Sequence, residues 1–169
     1  MSGAFAAAAL QLRDCGLAPI PLGGDDGKAP KVHGFNAWTV APSLETYAKW
    51  TRRFSNENVG TPTGCASKVF VVDADERGLE GKIKERFGAT PLWVTSPRGG
   101  MHAYYRYGGE TCGNLRAEGL PIDFKGWGGI VVLPPVSARA ANLRAATTNS
   151  RRVVLGRCCA NSRASNPVR

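Results

Sequence analysis

Two aspartates close an apolar, β-type run, Val69-Phe70-Val71-Val72-Asp73-Ala74-Asp75. Side chains alternate faces along a strand, so Asp73 and Asp75 are expected on one face with Cα atoms roughly 6–7 Å apart. Two ionised carboxylates held that close repel each other, and such a pair shares a proton or binds a cation. Mg²⁺ and Mn²⁺ favour oxygen ligands of this kind. A second reading is equally open from this stretch alone, in which Asp75 caps a helix beginning near Arg77.

Three further patterns carry chemistry. Ser96-Pro97-Arg98-Gly99-Gly100-Met101-His102 reads as a glycine turn between strands, with amides for an anion nest and Arg98 and His102 toward phosphate oxygens. Taken alone, it reads as a plain hairpin turn. Ile122-Asp123-Phe124-Lys125 sets a third acid and a base on one strand face, or else a surface ion pair. Gly126-Trp127-Gly128-Gly129 allows close backbone approach, by default to another strand. Together, Asp73, Asp75, Asp123, Arg98, His102 and Lys125 are the parts of metal-assisted phosphoryl or nucleotidyl transfer. The acids would hold metal, and the cations would bind charge developing on phosphates.

Other chemistries find less support. The loop 23–30 (GGDDGKAP) departs from a P-loop: Leu22 stands where the first glycine belongs, and Ala29 replaces the magnesium-binding Ser/Thr. Lys28 reads as a solvated loop lysine. There is no serine hydrolase elbow and no persuasive Cys/His pair. The five cysteines lack the CxxC spacing of a structural zinc site; Cys15 and Cys65 are expected to be small buried residues without disulfides. No span has the apolar length of a membrane helix, and the alanine-rich start lacks the basic region of a signal peptide. The chain is expected to be soluble and cytoplasmic.

The net charge of +9 points toward nucleic acid, but it is unevenly spread. From Ala138 onward there are seven arginines and no acid, leaving fifteen basic against thirteen acidic residues before it. Residues 138–169 therefore read as a basic, disordered tail on a nearly neutral catalytic domain, 1–137.

Elements able to position these residues follow from periodicity and caps. Helices are expected at 2–13, stopped by Gly16; at 45–54, capped by Ser43 with Leu44, Tyr47, Ala48 and Trp50 inward; and at 79–87, ended by Gly88. Strands are expected at 17–22, 58–63, 68–72, 92–96, 102–107, 122–125 and 130–133. A βα unit feeding mostly antiparallel strands gives an α/β or α+β fold with helices against a sheet.

With these segments in order, the chain resembles the bifunctional DNA primase/polymerase (prim-pol) domain of the archaeo-eukaryotic primase superfamily. Six segments between Ala6 and Pro135 carry the resemblance: GLAPIPL, GKAPKVHGFNAWT, NVGTPTG, VFVVDAD, TSPRGGMHAYYR and IDFKGWGGIVVLPP. It implies an N-terminal α/β unit packed on an RRM-like, mainly antiparallel sheet, with the active site between them. Asp73, Asp75 and Asp123 match the family's metal-binding acids, for Mg²⁺ or Mn²⁺. His102 matches the histidine that contacts the incoming nucleotide, and Ser96, Arg98, Gly99, Gly100 and Lys125 fall where nucleotide binding is expected. Gly100 takes the serine position of the often-written Ser-x-His motif, so that contact is expected from backbone.

The implied partners are a DNA template and primer, dNTPs or NTPs, and a separate helicase. The implied activity is template-dependent DNA priming or synthesis in replication of a mobile element, phage or plasmid. Past Pro135 the resemblance stops, and the domain is expected to lack the family's closing elements. Two other readings stand beside this one: a catalytically inactive nucleic-acid-binding remnant, and a sugar-nucleotide glycosyltransferase, where a hydrophobic run also ends in Asp-x-Asp.

Overall fold

The computed structural model describes residues 4–96 and 99–133. Helix α1 (Ala4–Asp14) buries Phe5, Ala8, Ala9 and Leu12, a stripe at i, i+3, i+4 and i+7. Gly16, at φ 88°, then turns the chain in a conformation that side chains with a Cβ resist. Strand β1 (Ile20–Gly23) is fully buried and pairs antiparallel with the two-residue β2 (Ala29–Pro30).

Helix α2 (Leu44–Arg53) begins as expected, with Ser43 Oγ accepting the Thr46 amide at 3.2 Å. Its inward face differs from the expected one. Tyr47 is buried and Trp50 and Phe54 pack on the core, whereas Leu44 is 58% exposed and Ala48 also faces solvent. The packed stripe runs 47, 50, 54, and Leu44 and Ala48 lie on the other flank of Tyr47.

Strand β3 (Asn58–Pro62) pairs antiparallel with β1, and β4 (Val69–Ala74) carries the first aspartate within the strand itself. Helix α3 (Glu80–Phe87) follows, closed by Gly88. Then come β5 (Leu92–Thr95), β6 (Met101–Arg106), β7 (Gly113–Asn114), β8 (Ile122–Lys125) and β9 (Ile130–Val132). They assemble into two antiparallel sheets, ordered β2-β1-β3-β9 and β5-β6-β4-β8-β7. The order β5-β6-β4-β8, with α3 linking β4 to β5, is that of an RRM-like βαβ-type sheet. Where such a sheet has its second helix, this one has β7 and a 3₁₀ turn, Arg116–Glu118. The α+β expectation is met.

Period-two alternation in β4 builds two cores. Val69 and Val71, with Leu92, Val94 and Tyr104, face the N-terminal unit and pack on Phe5, Leu12, Tyr47, Val59 and Val131. Phe70, Val72 and Ala74 face the other way, toward Ile83 of α3. There Phe70, Phe87, Tyr105 and Phe124 form a ring cluster with centroids 5.8–6.3 Å apart, inside the range of favourable aromatic pairs.

The two crossovers between sheets run side by side. Thr63 N donates to Gly129 O at 2.9 Å and its Oγ1 to Gly126 O at 2.6 Å, joining the segment after β3 to the segment after β8. Thr61 Oγ1 and Ser67 Oγ lie 2.7 Å apart, and the Ala18 amide donates to Ser67 Oγ at 3.1 Å. These buried hydroxyls give the NVGTPTG segment a role that its strand propensity alone does not express. Of the cysteines, Cys15 is buried as expected, whereas Cys65 is only half-buried.

Candidate active site

Strand register converts three separate sequence patterns into one row. Asp73 on β4 lies directly opposite His102 on β6 and directly opposite Asp123 on β8, and Asn114 on β7 lies opposite Asp123. Residues directly opposed in antiparallel strands share a face, with Cα atoms roughly 4.5–5.5 Å apart. Lys125, two residues from Asp123, and Tyr104, two from His102, therefore fall on that face too. It is the face that packs on the N-terminal unit, and the row sits where that core gives out.

Two like charges placed opposite each other in a sheet are destabilising, and cations surround them. His102 Nε2 lies 3.2 Å from Asp73 Oδ1. Lys125 Nζ donates to Asp123 Oδ2 at 3.4 Å. Arg116 spans two acids, Nη2 to Asp75 Oδ2 at 2.9 Å and Nε to Asp123 Oδ1 at 3.3 Å.

Asp75 is thus an ion-pair partner rather than a helix cap. Helix α3 starts at Glu80, and its N-cap residue Leu79 makes no side-chain cap bond. The cap reading fails because the chain passes through a turn, with Gly78 at φ 85°, before the helix begins.

Burial pushes the Asp73 carboxyl up, but the His102 hydrogen bond, then the charges of His102, Lys125 and Lys28, together hold it below the ordinary value of 3.8. Lys28 therefore acts on this site from the loop before β2, where it had read as merely solvated. That loop is tied down: Asn58 Nδ2 donates to Gly27 O at 3.1 Å, and Lys28 N donates to Asp26 Oδ1 at 3.0 Å. Beneath the row, burial and then the Asp73 charge push the Tyr104 hydroxyl up, leaving it neutral.

The depressed Asp73 pKa has a pH consequence. Its stabilising contribution is fully present above about 3.8 and is lost as pH falls through the lower folded value. Replacing His102 removes the leading opposing influences and leaves desolvation, which raises the carboxyl, opposed only by the charges of Lys125 and Lys28. His102→Ala is expected to unfold at a higher pH on the acid side than the native chain, read by circular dichroism in an acid titration. Coincident acid transitions would show that the imidazole does not hold this carboxylate charged.

Two amides of the turn before β6 have partners within the turn among the described residues. Ser96 N donates to Gly100 O at 2.8 Å and Gly99 N to Ser96 O at 3.0 Å, so both amides are used inside the turn. Gly100 is glycine for a packing reason. A Cβ there would stand 2.5 Å from Ala74 O and 3.3 Å from Asp75 O, the backbone that carries the second aspartate. Serine at this position would force that backbone away. Arg98 lies outside the described residues, as do the 137/138 boundary and the basic tail.

Arg116 is the residue sequence reasoning missed. Its signal is faint: an Asn-Leu-Arg run in which Asn114 Oδ1 accepts the Arg116 amide at 3.1 Å, an Asx-type turn directly after β7.

Asp73 and Asp123 share a face and Arg116 links Asp75 to Asp123, so the site carries hard oxygen donors of the kind a divalent cation takes. Among the described residues no group of three or more His, Cys, Asp or Glu side chains is gathered as a metal site, and Arg116 stands between two of the three acids. No helix among the described residues is long and apolar enough to cross a membrane.

Comparison with known proteins adds an independent line. No curated protein matches the chain. The sequence model for the N-terminal domain of bifunctional DNA primase/polymerases matches residues 8–155, most of the chain, and its match runs on past Pro135, where the motif resemblance ends. That breadth of match, over a fold with the expected strand order, supports a DNA primase/polymerase-type function. The chain belongs to the Prim-Pol family, the N-terminal domain of bifunctional DNA primase/polymerases.

Proposed function

We propose that this chain is a template-dependent nucleotidyltransferase. A primer 3′-hydroxyl attacks the α-phosphate of an incoming nucleotide, a P–O bond forms, and pyrophosphate leaves. The observation that carries the reading is the in-register row His102, Asp73, Asp123, with Asp75 beside it and Lys28, Lys125 and Arg116 in its field. Mg²⁺ or Mn²⁺, held by Asp73, Asp75 and Asp123, would supply charge neutralisation and a lowered pKa for the attacking hydroxyl.

The chain's own side chains do the rest. His102 Nε2 holds the Asp73 carboxylate in one orientation, and a phosphate contact by the same nitrogen requires the ring to release that oxygen. Lys125 and Lys28 present positive charge to the triphosphate from two sides, one from a strand and one from a tethered loop. Sheet pairing sets Asp73 against Asp123, so the separation of these two acids is held by strand register, while Asp75 is tied beyond the strand by its amide donating to Pro121 O. DNA template and primer would lie beside the row of acids, where the packed core between the two sheets ends.

The test is incorporation of labelled dNTPs and NTPs by the full chain on single-stranded template, with and without primer, in Mg²⁺ or Mn²⁺. Chelator-sensitive, template-directed products are expected. DNA binding with no incorporation under any of these conditions would overturn the catalytic reading in favour of a binding remnant.

A further inference from the structure

Arg116 is held at its backbone and loose at its tip. Its neighbour Leu115 is buried, and the Leu115 amide donates to Ile122 O at 2.9 Å. Asn114 caps its own amide, and Glu118, at the end of the same turn, accepts Arg86 Nη1 of α3 at 2.6 Å. Yet the Arg116 side chain is 52% exposed. The guanidinium therefore reaches the site from a fixed base, with half of its side chain open to solvent.

At its tip it does the charge work of a cation between carboxylates. Nη2 serves Asp75, just past the end of β4, and Nε serves Asp123 on β8. Asp75 is the least enclosed of the three acids, 55% exposed against 29% for Asp73 and for Asp123. Arg116 is the side chain that ties Asp75 to the row. A divalent ion drawn to Asp75 and Asp123 together competes with the guanidinium for the space and the negative charge between them.

We propose that Arg116 is a resident counter-ion of the carboxylate cluster, exchanged for a divalent cation when the site loads. The inference deepens the nucleotidyl-transfer reading and rests on its metal-binding acids. The exchange breaks two ion pairs and forms metal–carboxylate bonds, with no change in covalent structure. The freed guanidinium remains tethered within reach of the triphosphate, so the charge leaving the acids is delivered to the substrate anion.

The consequence is an affinity for divalent ions lower than the acids alone would give. Each half-exposed ion pair is worth roughly a two- to fivefold factor, so losing both tightens binding by about four- to twenty-five-fold. Mn²⁺ binding, followed by the electron paramagnetic resonance of the free ion, is measured on the full chain, on Arg116→Gln, on Arg116→Lys and on Asp123→Asn. Arg116→Gln is expected to bind Mn²⁺ about four- to twenty-five-fold more tightly than the native chain, with Arg116→Lys between them because an ammonium lacks the rigid planar fork that spans both acids. Without metal, Arg116→Gln is expected to melt lower, and added Mn²⁺ to raise its melting temperature more than the native chain's. Equal Mn²⁺ affinity in native and Arg116→Gln, with Asp123→Asn weakened, would overturn the exchange and leave the acid site intact. No Mn²⁺ binding by native or Arg116→Gln would overturn both the exchange and the metal reading beneath it.

Discussion

Asp73→Ala is expected to lower nucleotide incorporation by at least about 100-fold while the chain stays folded, and Asp123→Ala to do the same. The magnitude follows from position. Loss of a group that only orients a metal ligand costs about 10–100-fold, and loss of the ligand itself costs more. Asp73 is the middle member of its row, flanked by His102 and Asp123, so its removal also leaves His102 Nε2 without its acceptor. Folding should survive, because Asp73 is only partly buried and alanine suits the small gap it leaves between paired strands. The check is single-turnover extension of a labelled primer, with circular dichroism on the same samples. Metal-dependent extension within tenfold of the native rate, in either variant, would remove the row from the catalytic site.

Gly126→Ala is expected to destabilise the fold by roughly 2–3 kcal/mol, the upper part of the range for forcing atoms into a packed interior. A Cβ at this position would stand 2.2 Å from Glu110 O, 2.6 Å from Glu110 C and 2.7 Å from Thr111 C, all backbone atoms without a rotamer to escape by. The clash falls where the two sheets are joined. Trp127 N donates to Glu110 O at 2.8 Å, and Gly126 O accepts Thr63 Oγ1. Relieving it must move either β7 or the end of β8, and β8 carries Asp123 and Lys125. Urea denaturation measures the effect, with Gly81→Ala as a paired control: nothing lies within 4 Å of a Cβ there, and alanine is the better helix former. Equal stability of Gly126→Ala and the native chain would show that the strand junction is more compliant than its contacts imply.

Local rules read much of this fold from the sequence. Alternation through Val69–Ala74 placed Asp73 on one face and Phe70 and Val72 on the other, and two separate cores now occupy those faces. Ser43 as a cap and Gly88 as a stop are likewise local, since each depends on hydrogen bonds within one turn. The inward face of α2 was harder. Leu44 and Ala48 suited a helical stripe as well as Trp50 and Phe54 did, and only the helix and core lying against one flank of Tyr47 chose between them.

The candidate site divides in the same way. Its acids, its histidine and Lys125 were legible from residue type and spacing, because each pattern lies within a few residues of one strand. Register was not legible, and a one-residue slip of β8 against β4 would have turned Asp123 to the opposite face of the sheet. Nor was the use of β9, which directly follows β8 in the chain yet pairs with β3 in the other sheet. The reach of Lys28 to Asp73 and of Arg116 to Asp75 was not legible for a related reason. Each spans more than 40 residues of chain, and long side chains reach across space that spacing along the chain does not measure.

The sequence by itself determined the chemistry on offer: hard oxygen ligands at period two, a histidine at a strand start, and strands and helices to carry them. The tertiary structure decided which of these groups face one another, because strand pairing and loop reach depend on how the two cores close. It was that closure which set Asp123 opposite Asp73 and brought a guanidinium between Asp75 and Asp123, the contact on which loading of the site is proposed to turn.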